Sequence, residues 1–214
     1  LNHSNSINSM RSLHTLRLSA ALAATLLALP AAFAADDADA PATPKLPFVS
    51  NNGFDVWRST SKGDWPVDWA QGKGISWHRE EGRAFLRLTQ AEPGKLIMVY
   101  RDFDIPADVK AFRFDTIARA ADIVSGEKAW FDARIILQFI DENKTKVKGS
   151  PSPIIISRKG TTDWKEVTKK FAVPEGATRI ECMICLFQVQ SGSMDVDLFN
   201  LEPIDPAELA APTP

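Results

Sequence analysis

Residues 131–139, FDARIILQF, alternate without a break. Phe131, Ala133, Ile135, Leu137 and Phe139 fall on one side of an extended chain, and Asp132, Arg134, Ile136 and Gln138 on the other. A period of two is the pattern of a β-strand with one packed face. It recurs at Phe112 and Phe114, which oppose Arg113 and Asp115. Nine such β-rich runs lie between residues 74 and 202, divided by turn sequences such as AEPG, IPAD, DENK and PEGA. No window of this region holds a long 3.6-residue period; only 118–128, ARAADIVSGEK, has the composition of a helical turn. In 164–173, WKEVTKKFAV, Val167 and Phe171 break the alternation, as a bulge or an edge strand would. The expectation is an all-β fold, a two-sheet sandwich of the jelly-roll kind.

The ends of the chain read differently. Behind Met10 come Arg11 and Arg17, an apolar stretch, and Ala32-Phe33-Ala34, the layout of an export leader cut before Ala35. The apolar stretch is too short for a membrane span. Residues 1–34 are therefore read as leader, 35–46 as an Ala/Asp/Pro linker, 47–204 as the folded domain and 205–214 as a disordered tail. The expected location is secreted or periplasmic. The net charge is −2, and losing the leader removes two arginines and no acid, which makes it −4. That balance offers nothing to nucleic acid or to an anionic membrane surface.

Export permits disulfides, yet the two cysteines cannot pair with each other. Cys182 and Cys185 stand three strand steps apart, roughly 10 Å, beyond the ~7 Å limit for a bridge. They are expected as buried free thiols on opposite faces.

Catalytic chemistry has little to work with. His78 is the one histidine beyond the leader, which excludes a multi-histidine metal site from this chain alone. No nucleophile elbow, phosphate loop or zinc-protease helix is present. Glycoside hydrolysis needs only two carboxylates, and Asp102/Asp104 and Asp195/Asp197 each share a strand face. A catalytic pair, however, must flank the scissile bond from two sides. Carboxylates suit a hard cation better, with ligands gathered from chain-distant segments. Asn52 near the start and Asp197 near the end are the candidate ligands for a structural calcium; no cofactor is otherwise required. Asn143 opens the sequon NKT in an exposed turn.

Aromatic residues carry most of the functional argument. GDWPVDWAQGKGISW, residues 63–77, holds half of the six tryptophans. Trp77 shares a face with Ile75 and reads as core. Trp65 and Trp69 lie in a segment without an alternating register, and Trp65 precedes a proline that holds it extended. An indole offers a flat apolar face and one N–H, which suits a pyranose ring. Trp65 is thus the expected sugar platform, with Trp69 beside it or folded back as a plug. Trp130 opens the alternating strand on the face of Arg134 and Gln138. Arg134, Gln138, Gln188 and Gln190 are the natural hydrogen-bonding partners. Gln188 shares the face of Cys182, Ile184 and Leu186, so it is either a satisfied buried amide or a groove residue.

Three stretches resemble a known group. SNNGFDVW, read as opening the first strand, TTDWKEVTKKFAVPEGATRIECMICLF in the second half and GSMDVDLFNLEPI at the close are similar to the carbohydrate-binding modules of families four, nine and twenty-two. Trp164, Val167, Phe171, Val173, Pro174, Gly176 and Ala177 fall in the late motif; Asp195, Asp197 and Leu198 fall near the closing one, where Val196 interrupts the usual paired acids. The resemblance spans most of residues 47–204. It implies a galactose-binding-like β-sandwich that binds polysaccharide or oligosaccharide without catalysis, alone or beside a separate glycoside hydrolase. Two other readings stay open. A hydrolase or lyase on the same scaffold requires converging acids, or a Tyr/Arg/His set that must use the sole tyrosine, Tyr100. An envelope protein-interaction domain requires Trp65 and Trp69 to be buried and the groove to be apolar or absent.

Overall fold

Alternating strands cannot bury their apolar faces singly, so they stack as two sheets with those faces inward. The computed structural model describes residues 47–150 and 152–209; the segments read above as leader and linker, and the tail from residue 210, lie outside them. A five-stranded antiparallel sheet has the order β3 (Ile75–Glu80), β4 (Arg83–Thr89), β11 (Ser191–Pro203), β6 (Ala111–Val124), β9 (Gly160–Ala172). A four-stranded one runs β5 (Ile97–Asp104), β10 (Arg179–Leu186), β7 (Ala133–Ile140), β8 (Ile154–Arg158). From β4 onward every connection except β7–β8 passes from one sheet to the other, the jelly-roll route.

The core follows the alternation. Ala133, Ile135, Leu137 and Phe139 of β7 meet Leu86, Leu88, Phe114 and Val196 of the opposite sheet within one cluster of buried side chains. Cys182 and Cys185 are buried and free, as the strand spacing requires. Strand β9 lies at an edge, and its register against β6 shifts near residue 118 and again beyond 120.

Three expectations need correction. Residues 118–128 form no helical turn, because β6 continues to Val124. The stretch 50–56 is turn and bend, and the first strand starts only at Trp57. Asn51, at φ 49°, donates from Nδ2 to the carbonyls of Val56 and Val67, at 2.7 and 2.8 Å, and accepts from the Val56 amide at 3.0 Å. One short amide thereby ties a turn to the base of a separate hairpin, β1 (Trp57–Thr60) with β2 (Gly63–Pro66). The tail expected to be disordered from 205 instead begins with a 3-10 turn, Pro206–Leu209, held against β9 by Lys170 and Glu208.

Candidate functional site

The 63–77 segment is not the open platform its sequence suggests. Trp65 and Trp69 are 8% and 5% exposed and belong to the core. The β1–β2 hairpin gives Trp65 a strand register that sequence alternation does not show. Its indole N–H donates to the Trp69 carbonyl at 2.7 Å, and that of Trp69 donates to the Asn51 carbonyl at 2.9 Å. The Trp69 ring lies 4.6 Å from Phe54 and 5.4 Å from Phe199, under the Arg101 guanidinium. Burial of that guanidinium lowers its pKa. What remains of Trp65 is an edge in a pocket of about 390 Å³ with Lys62, Gln71 and Lys73. Trp77 packs as expected, its N–H on the Phe54 carbonyl at 3.1 Å.

The sandwich therefore offers its two outer sheet faces, and they differ in kind. On the five-stranded sheet, Phe85 points outward and is nonetheless fully buried. His78 stacks on it at 5.4 Å, the edge of Trp164 meets it at 5.4 Å, and the guanidinium groups of Arg87 and Arg119 cover the rest. Asp195 accepts from Arg87 at 2.7 and 2.8 Å and from Arg119 at 2.7 Å. The hydrogen bond to Asp195 raises the pKa of Arg87. Arg119 also donates to Glu80 at 2.9 Å, and Arg83 pairs with Asp197. Acids and bases here satisfy one another, so the face is closed.

On the four-stranded sheet, register sets four rows across the strands. Met98, Cys185, Arg134 and Ser157 make the first, and Tyr100, Met183, Ile136 and Ile154 the second. Asp102, Glu181 and Gln138 make the third, and Asp104, Arg179 and Ile140 the fourth. The second row is apolar and open: Tyr100 is 40% exposed, and Ile154 is exposed as well. At ~4.8 Å between strands it extends ~14 Å. The third row supplies hydrogen-bonding groups. The Tyr100 hydroxyl donates to Glu181 at 2.7 Å, Gln138 Nε2 reaches the same carboxylate at 3.4 Å, and Arg179 donates to Asp102 at 2.8 Å. Desolvation, with the Glu181 carboxylate, holds the Tyr100 phenol well above its ordinary pKa, so it remains a donor.

Over the first row, loops 125–132 and 187–190 rise as a wall. Trp130, Phe131 and Phe187 pack on one another with centroids 4.4 to 5.4 Å apart. Trp130 stands at the outside, 50% exposed.

Three of the expected residues, Trp130, Arg134 and Gln138, meet at this face. Arg134 is buried beneath the wall rather than offered to solvent. Gln188 is half-buried with φ 50°, and its amide N donates to the Leu186 carbonyl at 3.1 Å, so it is a bend in the wall. Gln190 is exposed, on the turn leading into β11. Asn52 and Asp197 take separate partners: the Asn52 amide donates to Asn200 at 3.1 Å, and Asp197 pairs with Arg83. Among the described residues no group of three or more His, Cys, Asp or Glu could hold a metal ion. No described helix is long and apolar enough to cross a membrane. Sequence reasoning missed Tyr100 and Met183 as floor residues. The only signal was that both faces of 97–100, IMVY, are apolar.

Several solved structures are similar to this chain. The CBA120 bacteriophage tailspike protein 4 enzymatic domain is similar over 74% of this chain, at 12% identity and a TM-score of 0.48; the match spans 21% of the tailspike chain. A family 61 carbohydrate-binding module in complex with β-1,4-galactotriose is similar over 75% of this chain and 100% of its own, at 12% identity and TM-score 0.47. A family 4 carbohydrate-binding module is similar over 72% of this chain and 98% of its own, at 14% identity and TM-score 0.45. No protein-family profile matches the chain, and no curated protein does.

Proposed function

We propose that this chain is a non-catalytic carbohydrate-binding module that takes a polysaccharide across the outer face of its four-stranded sheet. The observation that carries the reading is the contrast between the two faces. One is closed by its own ion pairs, while the other leaves an apolar row uncovered beside a row of donors and acceptors. Sugar rings have that same division, with C–H faces that stack on apolar or aromatic surface and a rim of hydroxyls. The floor spans roughly three pyranose units, given four strands ~4.8 Å apart. Tyr100 and Trp130 are the aromatic contacts, and Gln138, Glu181, Asp102 and Arg179 the polar ones. The resemblance of the motifs over residues 47–204 supports the same class of ligand. A binding rather than a hydrolytic role is supported by the state of the carboxylates: Asp102 and Asp104 are engaged by Arg179, Glu181 opposite Asp102 accepts from Tyr100 and Gln138, and Asp195 and Asp197 pair with other arginines. The module would work outside the cytoplasm, in keeping with its leader, on its own or beside a separate hydrolase.

The test is affinity electrophoresis in gels containing soluble β-glucan, xylan, galactan or mannan, comparing wild type with Tyr100→Ala and Trp130→Ala. Wild type is retarded by at least one gel, and each variant binds that polysaccharide at least tenfold more weakly, the scale of an aromatic anchor. Unchanged retardation of both variants, or release of reducing sugar by the purified protein, overturns the proposal.

A further inference from the structure

Arg134 sits where β-alternation aims it at solvent, in the first row of the open face, between Cys185 and Ser157. A long cationic side chain on an outer face ordinarily extends its head into water. This one is 8% exposed, and its partner Asp132 is 2% exposed. Arg134 Nε donates to Asp132 Oδ1 at 2.6 Å, and the other end of the guanidinium donates to the Trp130 carbonyl. The Ser157 hydroxyl donates to Asp132 Oδ2. The Asp132 carbonyl accepts from the Phe187 amide at 2.9 Å. Asp132 thus joins both loops of the wall to β8, and Arg134 holds the backbone at the tryptophan itself. The guanidinium carbon is 5.9 Å from the Trp130 ring centroid and 5.6 Å from that of Phe187. The loops are also in contact at Gly126, where an added Cβ would fall 2.1 Å from the Gln188 carbonyl oxygen.

A buried ion pair adds little net stability compared with a well-packed apolar pair, because desolvation offsets most of its attraction. What it does supply is direction, since a planar guanidinium fixes two acceptors at set angles. We infer that Asp132 and Arg134, with Ser157, are positioning residues that hold Trp130 upright at the edge of the floor, and that Arg134 governs ligand affinity without touching the ligand. The inference rests on the proposed sugar-binding face. It reassigns an arginine that the sequence places among the ligand contacts.

The experiment is a double-mutant cycle on the polysaccharide that retards the wild-type protein most in the gel panel. Arg134→Gln alone weakens binding about tenfold, close to the effect of Trp130→Ala, as expected when an anchor loses its support. In the Trp130→Ala background Arg134→Gln adds less than twofold, because its effect passes through the ring. Ser157→Ala, a milder change, gives a smaller loss with the same non-additivity, and stands in should Arg134→Gln fail to fold. Acrylamide quenching supplies a ligand-free readout: the emission assigned to Trp130, wild type minus Trp130→Phe, becomes more accessible in Ser157→Ala and Arg134→Gln. A fully additive cycle would make Arg134 a direct contact and overturn the inference. So would unchanged affinity and quenching in variants that fold. Should Tyr100→Ala and Trp130→Ala themselves leave binding intact, the site is wrong, whereas losses confined to those two variants discard only the positioning role.

Discussion

Asp195→Ala tests whether the charged face of the five-stranded sheet is a structural layer. Its side chain is 4% exposed and receives three charge-assisted hydrogen bonds from Arg87 and Arg119, at 2.7 to 2.8 Å. Removing one member of a buried pair costs about 3–5 kcal/mol when the abandoned charge stays buried. Here the abandoned charges are not fully buried, since the Arg87 and Arg119 side chains keep 28% and 30% exposure and Glu80 lies within reach of both. Partial rehydration reduces the estimate to about 2–3 kcal/mol. At ~2–4 °C per kcal/mol for a domain of this size, Tm should fall by ~5–10 °C. Urea titration reports the same loss as a lower midpoint with an unchanged slope, because the unfolded chain exposes the same surface. Repeating the titration at high salt should preserve most of the difference, since contacts this close and this shielded are weakly screened. A loss under ~0.5 kcal/mol, within the range of an ordinary surface substitution, would refute the argument and reopen this face as a ligand surface.

Other consequences follow from the same geometry. Trp69→Ala should cost about 3–5 kcal/mol in chemical denaturation, since it empties a site between Phe54 and Phe199; a soluble, equally stable variant with altered ligand affinity would restore Trp69 as a platform. Gly126→Ala forces the wall loops apart, as the new Cβ would meet the Gln188 carbonyl; a loss of ~1–3 kcal/mol is expected, read by thermal melting together with increased quenching of Trp130. Burial pushes the Cys185 thiol up to about 12 from 9.0. Neither cysteine should therefore react with a disulfide reagent at pH 8 until the protein unfolds. The sign of the linkage follows, because the unfolded chain loses its thiol protons first, so stability falls as pH rises from about 9 toward about 12. A pH-independent denaturation midpoint across that window would contradict it.

The sandwich was legible because alternation is a local property. From FDARIILQF the core of β7 is legible, since Ala133, Ile135, Leu137 and Phe139 pack as alternation requires, whereas Phe131, expected on the same face, lies ahead of the strand and packs against Trp130 and Phe187. The unpaired cysteines followed from strand rise alone. Where the register is irregular that reasoning fails: nothing in GDWPVDW shows that Asn51, in a turn, will seat a hairpin over the core and bury two indoles. Only the tertiary structure could choose between the two apolar sides of IMVY, because the choice depends on β10 lying beside β5, some eighty residues away along the chain. The same holds for the floor of the site. Tyr100, Met183, Ile136 and Ile154 form one row solely through strand adjacency. Alternation places Arg134 on the outer face but does not show that it is buried there, since the direction of a long side chain is set by the carboxylate and carbonyl around it. A strand's pattern is encoded residue by residue, whereas a surface is assembled from strands remote in sequence, and its uncovered parts exist only once they have paired.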